Sequence, residues 1–216
     1  MLRWRRVEIS GGFLLLAAAL YYLDNQGVIL WAALACALHE LGHYAAIRAF
    51  GGRVVLLRLT CIGAEMVLSS RGRRGRSLTW LGRLCTALGG PWANLALAAL
   101  SARLAWLFGE RAWLFAGLNL ALAAFNLLPV EQLDGGRVLA VLLSLFLPDY
   151  LVRQVMGALS IGISLGLTAA GAALFFGAGG SVTLLLTALW LLAASAGAFR
   201  RNRGGRFPAN RFARRR

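Results

Sequence analysis

The stretch Ala37-Leu38-His39-Glu40-Leu41-Gly42-His43-Tyr44 holds both histidines of a 216-residue chain, four apart, with a glutamate beside the first. It lies in an apolar run, Val28 to Phe50, long enough to cross a bilayer. On a helix, positions i and i+4 share one face, so both imidazoles can reach a single zinc ion. Glu40 can then act as general base toward a zinc-activated water. Random placement of these residues would give the pattern in about four chains in ten thousand. Two packing histidines are the bland reading. An ionisable side chain inside a span is costly and usually functional, which favours a hydrolytic metal centre set within a membrane.

Of the whole chain, 59% is hydrophobic and 14% is charged, and the mean hydropathy is +0.69. The apolar residues form long runs rather than the dispersed pattern of a soluble domain, so the expected class is an all-α polytopic membrane protein. All 23 basic residues are arginine, against eight acidic ones, for a net charge of +15. The arginines cluster between and after the apolar runs, as the positive-inside rule requires of cytoplasmic segments. No basic domain or nucleic-acid motif accompanies them, so nucleic acid is not an expected partner. Cys36, Cys61 and Cys85 are odd in number and show no paired spacing, which argues against a disulfide framework. Cys36 shares a helical stripe with the histidines, where a small packing residue is the simpler role.

The runs predict six spans: Ile9 to Leu23, Val28 to Phe50, Leu84 to Leu107, Ala112 to Pro129, Val155 to Phe176 and Val182 to Phe199. Residues 1–216 read as one transmembrane domain with a core over 28–147, and both termini are expected in the cytoplasm of a cell-membrane protein. The first run follows a basic segment but lacks a small-residue cleavage site, so it is expected to be retained. Between Gly51 and Arg83, the β-branched and leucine-rich segments Arg53 to Cys61 and Glu65 to Ser69 predict a small cytoplasmic-side β-hairpin. It would be either a plain hairpin or an edge that holds an extended peptide. Val138 to Leu147 is too short for a further crossing and reads as a half-helix continuing a broken fourth span. That leaves the tail from Arg200 on the cytoplasmic side. Trp92 and Trp190 fall outside the interfacial aromatic belt and are expected to pack between helices.

Catalytic zinc takes three protein ligands and leaves a position for water. With no third histidine, the last ligand must be a carboxylate or a cysteine. Asp134 is favoured, in the break between Pro129 and Gly135-Gly136 at about the depth of the histidines. Glu131 is the alternative, and a helix-capping role for Asp134 is the structural reading. Asn94 and Asn126 are the amides within spans. They are candidates for holding the substrate backbone or oxyanion, or for bonding helix to helix.

His39-Glu40-Leu41-Gly42-His43, then Gly90-Pro91-Trp92-Ala93-Asn94, then Asn126-Leu127-Leu128-Pro129 leading to Leu133-Asp134-Gly135-Gly136, resemble the signature motifs of the site-2 protease family, in that family's order. The resemblance runs over roughly Val28 to Leu147. It implies zinc ligands at His39, His43 and Asp134, with Glu40 as catalytic base. It further implies a membrane-associated protein substrate cut near the cytoplasmic face and a possible membrane-protein inhibitor or regulator. The layout is similar to the compact branch, which includes a sporulation protease acting on an inactive sigma-factor precursor. Two departures are Gln132, where proline commonly precedes Leu-Asp-Gly, and Cys61-Ile62-Gly63-Ala64 in place of the usual hairpin turn. The alternative is a non-catalytic membrane scaffold or regulator retaining the metal motif. A metal transporter would spread polar residues along several spans, and the last two lack charge.

Overall fold

The computed structural model describes residues 2–4, 7–10, 22, 24, 27–60, 63–68, 78–178 and 182–203. Most of the expected first span, the hairpin turn at Cys61-Ile62 and the tail from residue 204 lie outside them. The chain forms two compact units, Met1–Phe125 and Asn126–Arg216.

The first unit holds a sheet and two long helices. Strands β1 (Leu2–Trp4), β2 (Val7–Ile9), β3 (Val54–Thr60) and β4 (Gly63–Leu68) lie in the order β1-β2-β3-β4. The expected hairpin is β3 and β4, paired antiparallel. The sequence reading missed its enlargement by the N-terminal segment, whose β2 runs parallel to β3. Ile9, expected to open the first span, instead closes β2. Glu8 stands opposite Arg58 in this register and accepts a hydrogen bond from its Nε at 3.1 Å, so Arg58 is consumed by an ion pair.

Helix α1 (Val28–Ala49) starts where Asp24 accepts the backbone N–H groups of Val28 and Ile29, at 3.1 and 2.8 Å. Those donors have no partner within the helix, and a carboxylate also suits the positive end of its dipole. Helix α2 (Trp80–Arg103) is capped by Thr79, whose Oγ1 accepts from Gly82 N–H at 3.1 Å. Pro91 lies buried within α2, a placement that membrane helices tolerate.

Helices α1 and α2 pack on small residues. A Cβ added at Gly42 would meet Gly89 O and lie 2.7 Å from Ala93 Cβ. One added at Gly89 would lie 2.7 Å from Gly42 O and 2.9 Å from Ala46 Cβ. The paired Gly-x-x-x-Ala steps therefore bring the two backbones into direct contact, as small-residue interfaces do in lipid. Short α3 (Ala105–Phe108) leads to α4 (Glu110–Asn126), whose Phe115 ring packs 5.6 Å from Trp31 of α1.

In the second unit, α4 gives way to a non-helical segment over residues 127–133, followed by α5 (Asp134–Leu143). The break was expected between Pro129 and Gly136; it runs over residues 127–133 instead, and Asp134, Gly135 and Gly136 open α5. Helices α6 (Asp149–Ala178) and α7 (Val182–Arg203) then pack on each other, with Met156, Leu191, Ser160, Ser164 and Ser195 buried.

Three helices among the described residues are long and apolar enough to cross a membrane: Val28–Ala49, Trp80–Arg103 and Asp149–Gly177. Leu30, Leu41, Leu120, Leu165, Phe176 and Leu186 all lie exposed on the helices, a distribution that fits lipid rather than water. Trp92, expected between helices, is 64% exposed instead. With lipid as the surrounding solvent, an indole need not be packed by protein.

The crossing gives a first prediction. Gly89→Leu should destabilise the protein by about 1–3 kcal/mol through overpacking, while Gly117→Ala, which meets nothing within 4 Å, should not. Thermal unfolding in detergent, followed by loss of the monodisperse chromatographic peak, measures the difference.

Candidate metal centre

The close crossing places one stripe of α1, residues 35, 39, 43 and 47, against α2, and all four are buried there. His43 Nδ1 lies 2.7 Å from Thr86 O. A carbonyl only accepts, so this nitrogen carries the proton and donates. Protonated in this way, the nitrogen has no lone pair for the Gly90 N–H that approaches it at 3.3 Å, so that contact is not a hydrogen bond in this tautomer. His39 Nδ1 lies 3.2 Å from Asn94 Oδ1 and donates to it. With both Nδ1 atoms protonated, both Nε2 atoms present lone pairs, and these face each other 3.1 Å apart. Two lone pairs at that distance repel unless a positive centre joins them. Turning the Asn94 amide over would let a shared proton do so. Otherwise a metal ion does. The pair is a socket for one cationic centre, and its donors suit zinc.

Gly90 keeps the socket open. A Cβ there would meet His43 Nε2 and lie 2.6 Å from His39 Nε2. Asn94 is fully buried, and its Nδ2 has no hydrogen-bond partner.

Glu40 occupies a different position on α1. Ala37, Glu40, Leu41, Tyr44 and Arg48 line an open groove whose other wall is Val54 and Leu57 of β3 and Met66 of β4. The groove has a volume of about 360 Å³. At about 100° per residue, Glu40 falls between the buried histidine stripe and the centre of the groove face. A carboxylate there borders both the histidine pair and the groove.

In the second unit, Asp134 is the first residue of α5 and is buried. It is not the cap, because Leu133 holds that position. Arg137, one turn on, donates to Asp134 Oδ1 at 3.3 Å. Gly135 and Gly136 are needed because the preceding loop folds back onto them. An added Cβ would meet Leu127 O at the first and Val130 O at the second. The loop is tied down from α6 and α7. Glu131 N–H donates to Ser160 Oγ at 2.9 Å, and Ser195 Oγ donates to Gln132 Oε1 at 3.3 Å. Glu131 itself, the alternative ligand, is exposed. His39 and His43 are buried in the first unit and Asp134 in the second.

Residues 102–169 match the family model of peptidase family M50. The match takes in Asn126 and Asp134 and ends short of the histidines in the other direction. The fold is similar to that of a solved structure, the site-2 protease from Methanocaldococcus jannaschii. The TM-score is 0.66 over 93% of this chain and 94% of that one, at 20% sequence identity. No curated protein sequence matches the chain. The family-model match and the fold together support a metalloprotease.

Asn126 is the last residue of α4 and half-buried. Cys36 is exposed, away from the packing role expected of it. The sequence reading passed over Thr86, Asn119, Ser160 and Ser195. Asn119 is buried on α4, donates from Nδ2 to Phe115 O at 2.8 Å, and leaves its Oδ1 without a partner. The available signal was a polar side chain interrupting an apolar run.

The contact between His39 and Asn94 predicts a metal-affinity effect. Asn94→Leu should weaken zinc binding by about 10- to 100-fold, while Asn94→Asp keeps an acceptor and most of the affinity. Competition with a chromophoric chelator reads it directly.

Proposed function

We propose that this chain is a zinc endopeptidase of the site-2 protease type, which cuts membrane-associated proteins near the cytoplasmic face of a cell membrane. The observation that carries the reading is the His39–His43 pair, with Nε2 atoms facing at 3.1 Å and Glu40 on the wall of an open groove beside them. His39, His43 and Asp134 are the metal ligands in this reading. Asp134 is supported by its burial and by the loop hydrogen-bonded to Ser160 and Ser195. Zinc bound there supplies Lewis acidity, polarising the scissile carbonyl and lowering the pKa of a water toward about 7.

The chain's own residues do the rest. Glu40 takes a proton from the attacking water as its oxygen bonds to the scissile carbon. It then delivers that proton to the nitrogen as the C–N bond breaks, leaving a carboxylate and an amine. Asn94 orients His39, and its Nδ2 is available to a carbonyl or oxyanion of the substrate. Asn126, at the end of α4, is the second amide proposed to hold the substrate backbone. The groove receives the substrate as an extended segment, with β4, the edge strand of the sheet among the described residues, offered for main-chain pairing. A helical substrate must unwind locally to enter.

Six spans with both termini cytoplasmic complete the proposal. The spread of arginine supports this orientation, as do the apolar surfaces of α6 and α7. The sigma-factor precursor expected from the compact branch rests on sequence resemblance alone.

Glu40→Gln should retain zinc yet lower cleavage of a membrane-anchored reporter at least about a hundredfold, the usual worth of general-base catalysis. Asp134→Ala should lose zinc while Glu131→Ala keeps it, measured by metal content after dialysis. Equal cleavage by Glu40→Gln and wild type would remove Glu40 from its role as base, and no cleavage by zinc-loaded wild type would leave the scaffold reading in place. Zinc kept by Asp134→Ala and lost by Glu131→Ala would reverse the choice of ligand.

A further inference from the structure

The groove has a charge pattern that the proteolytic reading does not use. Its α1 wall is one stripe, Ala37, Glu40, Leu41, Tyr44 and Arg48, and Glu40 and Arg48 are its only charged members. Arg48 is exposed, and its guanidinium lies 5.9 Å from the Tyr44 ring centroid, stacked over another groove residue. A cation held on an aromatic face is restrained at little entropic cost. Among the described residues no carboxylate pairs with Arg48, whereas Arg58 is taken up by Glu8 and Arg137 by Asp134. The rest of the lining is apolar: Ala37, Leu41, Val54, Leu57 and Met66.

We propose that Arg48 is an acid-reading subsite, so that preferred substrates carry an aspartate or glutamate at a fixed distance from the cut. The inference rests on Glu40 marking the catalytic end of the groove. Glu40 and Arg48 are eight residues apart on α1, about 12 Å along the axis. An extended chain advances about 3.3 Å per residue, which puts the acid three or four residues from the scissile bond. Arg48 makes a bidentate match to a carboxylate, and the apolar lining reduces competition from water.

The test uses the full-length protein in phosphatidylcholine vesicles, with membrane-anchored reporters whose cut site is fixed by mass spectrometry. Glutamate, alanine or lysine is placed at each of six positions on either side of the cut. For wild type, the ratio of kcat/KM for glutamate over lysine should peak at about tenfold, three or four residues away on one side. Arg48→Lys should keep a ratio above one, Arg48→Gln should bring it close to one, and Arg48→Glu should invert it. An Arg48→Glu ratio equal to wild type overturns the proposal. So does a ratio insensitive to Arg48 together with rates for all reporters that depend on Arg48 and on added phosphatidylglycerol, which would make Arg48 a lipid headgroup anchor. Failure of wild type to cut any reporter overturns the protease reading instead.

Discussion

The backbone contact between Gly42 and Gly89 is the constraint from which the first unit follows. In lipid there is little hydrophobic gain from pressing one helix on another, so association relies on close van der Waals approach and on polar contacts made at short range. Glycine at both positions and alanine one turn on provide the approach. Only at that separation can His43 reach the main chain of α2 at Thr86, and His39 reach Asn94. Those contacts fix which nitrogen carries the proton, and hence which nitrogen is left to bind a cation. Gly90, beside them, leaves the volume the two rings occupy. A side chain at Gly42 or Gly89 would act on the centre by moving a helix, whereas one at Gly90 would strike the two imidazoles directly.

Much of this was legible in the sequence because it depends on helical period. His39, Glu40 and His43 are local, and the Gly90-Pro91-Trp92-Ala93-Asn94 segment marks a helix that tolerates close approach. A break near Pro129 was legible for the same reason, since proline and paired glycines act on their own neighbourhood. What stayed hidden depends on distant partners. Leu2–Trp4 and Val7–Ile9 are too short to show alternation, and the arginines around them read as a charged flank. They pair with each other, and what joins them to the sheet is the pairing of β2 with β3 some fifty positions away, including Glu8 with Arg58. Asn94 was visible as a polar residue in an apolar run, but its partner was not, because α1 and α2 must be docked before His39 meets it. Trp92 misled for a different reason: its place outside the interfacial belt was taken to mean packing between helices, whereas a tryptophan facing lipid needs no protein around it.

The second unit solves a related problem with hydroxyls. A loop that breaks a helix at membrane depth frees backbone groups that lipid cannot satisfy. Ser160 takes the Glu131 N–H, and Ser195 takes up Gln132 while lying 3.2 Å from Ser164. Gln132 stands where the resembling family commonly has proline. Proline would fix the loop through its own φ angle; glutamine leaves φ free and anchors the loop through its side chain. The hydrogen bonds from α6 and α7 therefore take over a conformational task. This gives those otherwise apolar helices a role in holding the residue next in line, Asp134.

Helix α1 performs three jobs because 3.6 residues per turn divides its circumference among three stripes. Gly42 and Ala46 make the crossing, His39 and His43 face the polar atoms of α2, and Ala37, Leu41, Tyr44 and Arg48 form the groove wall. Glu40 lies on the border between the second stripe and the third, about 60° from His43 and about 40° from Tyr44. A base one position earlier or later would turn by about 100°, into the crossing or out of reach of the histidines. The spacing His-Glu-x-x-His is thus more than a ligand pair with a base nearby. On a helix fixed by the glycine crossing, the position after the first histidine is the one that borders both the histidine stripe and the groove.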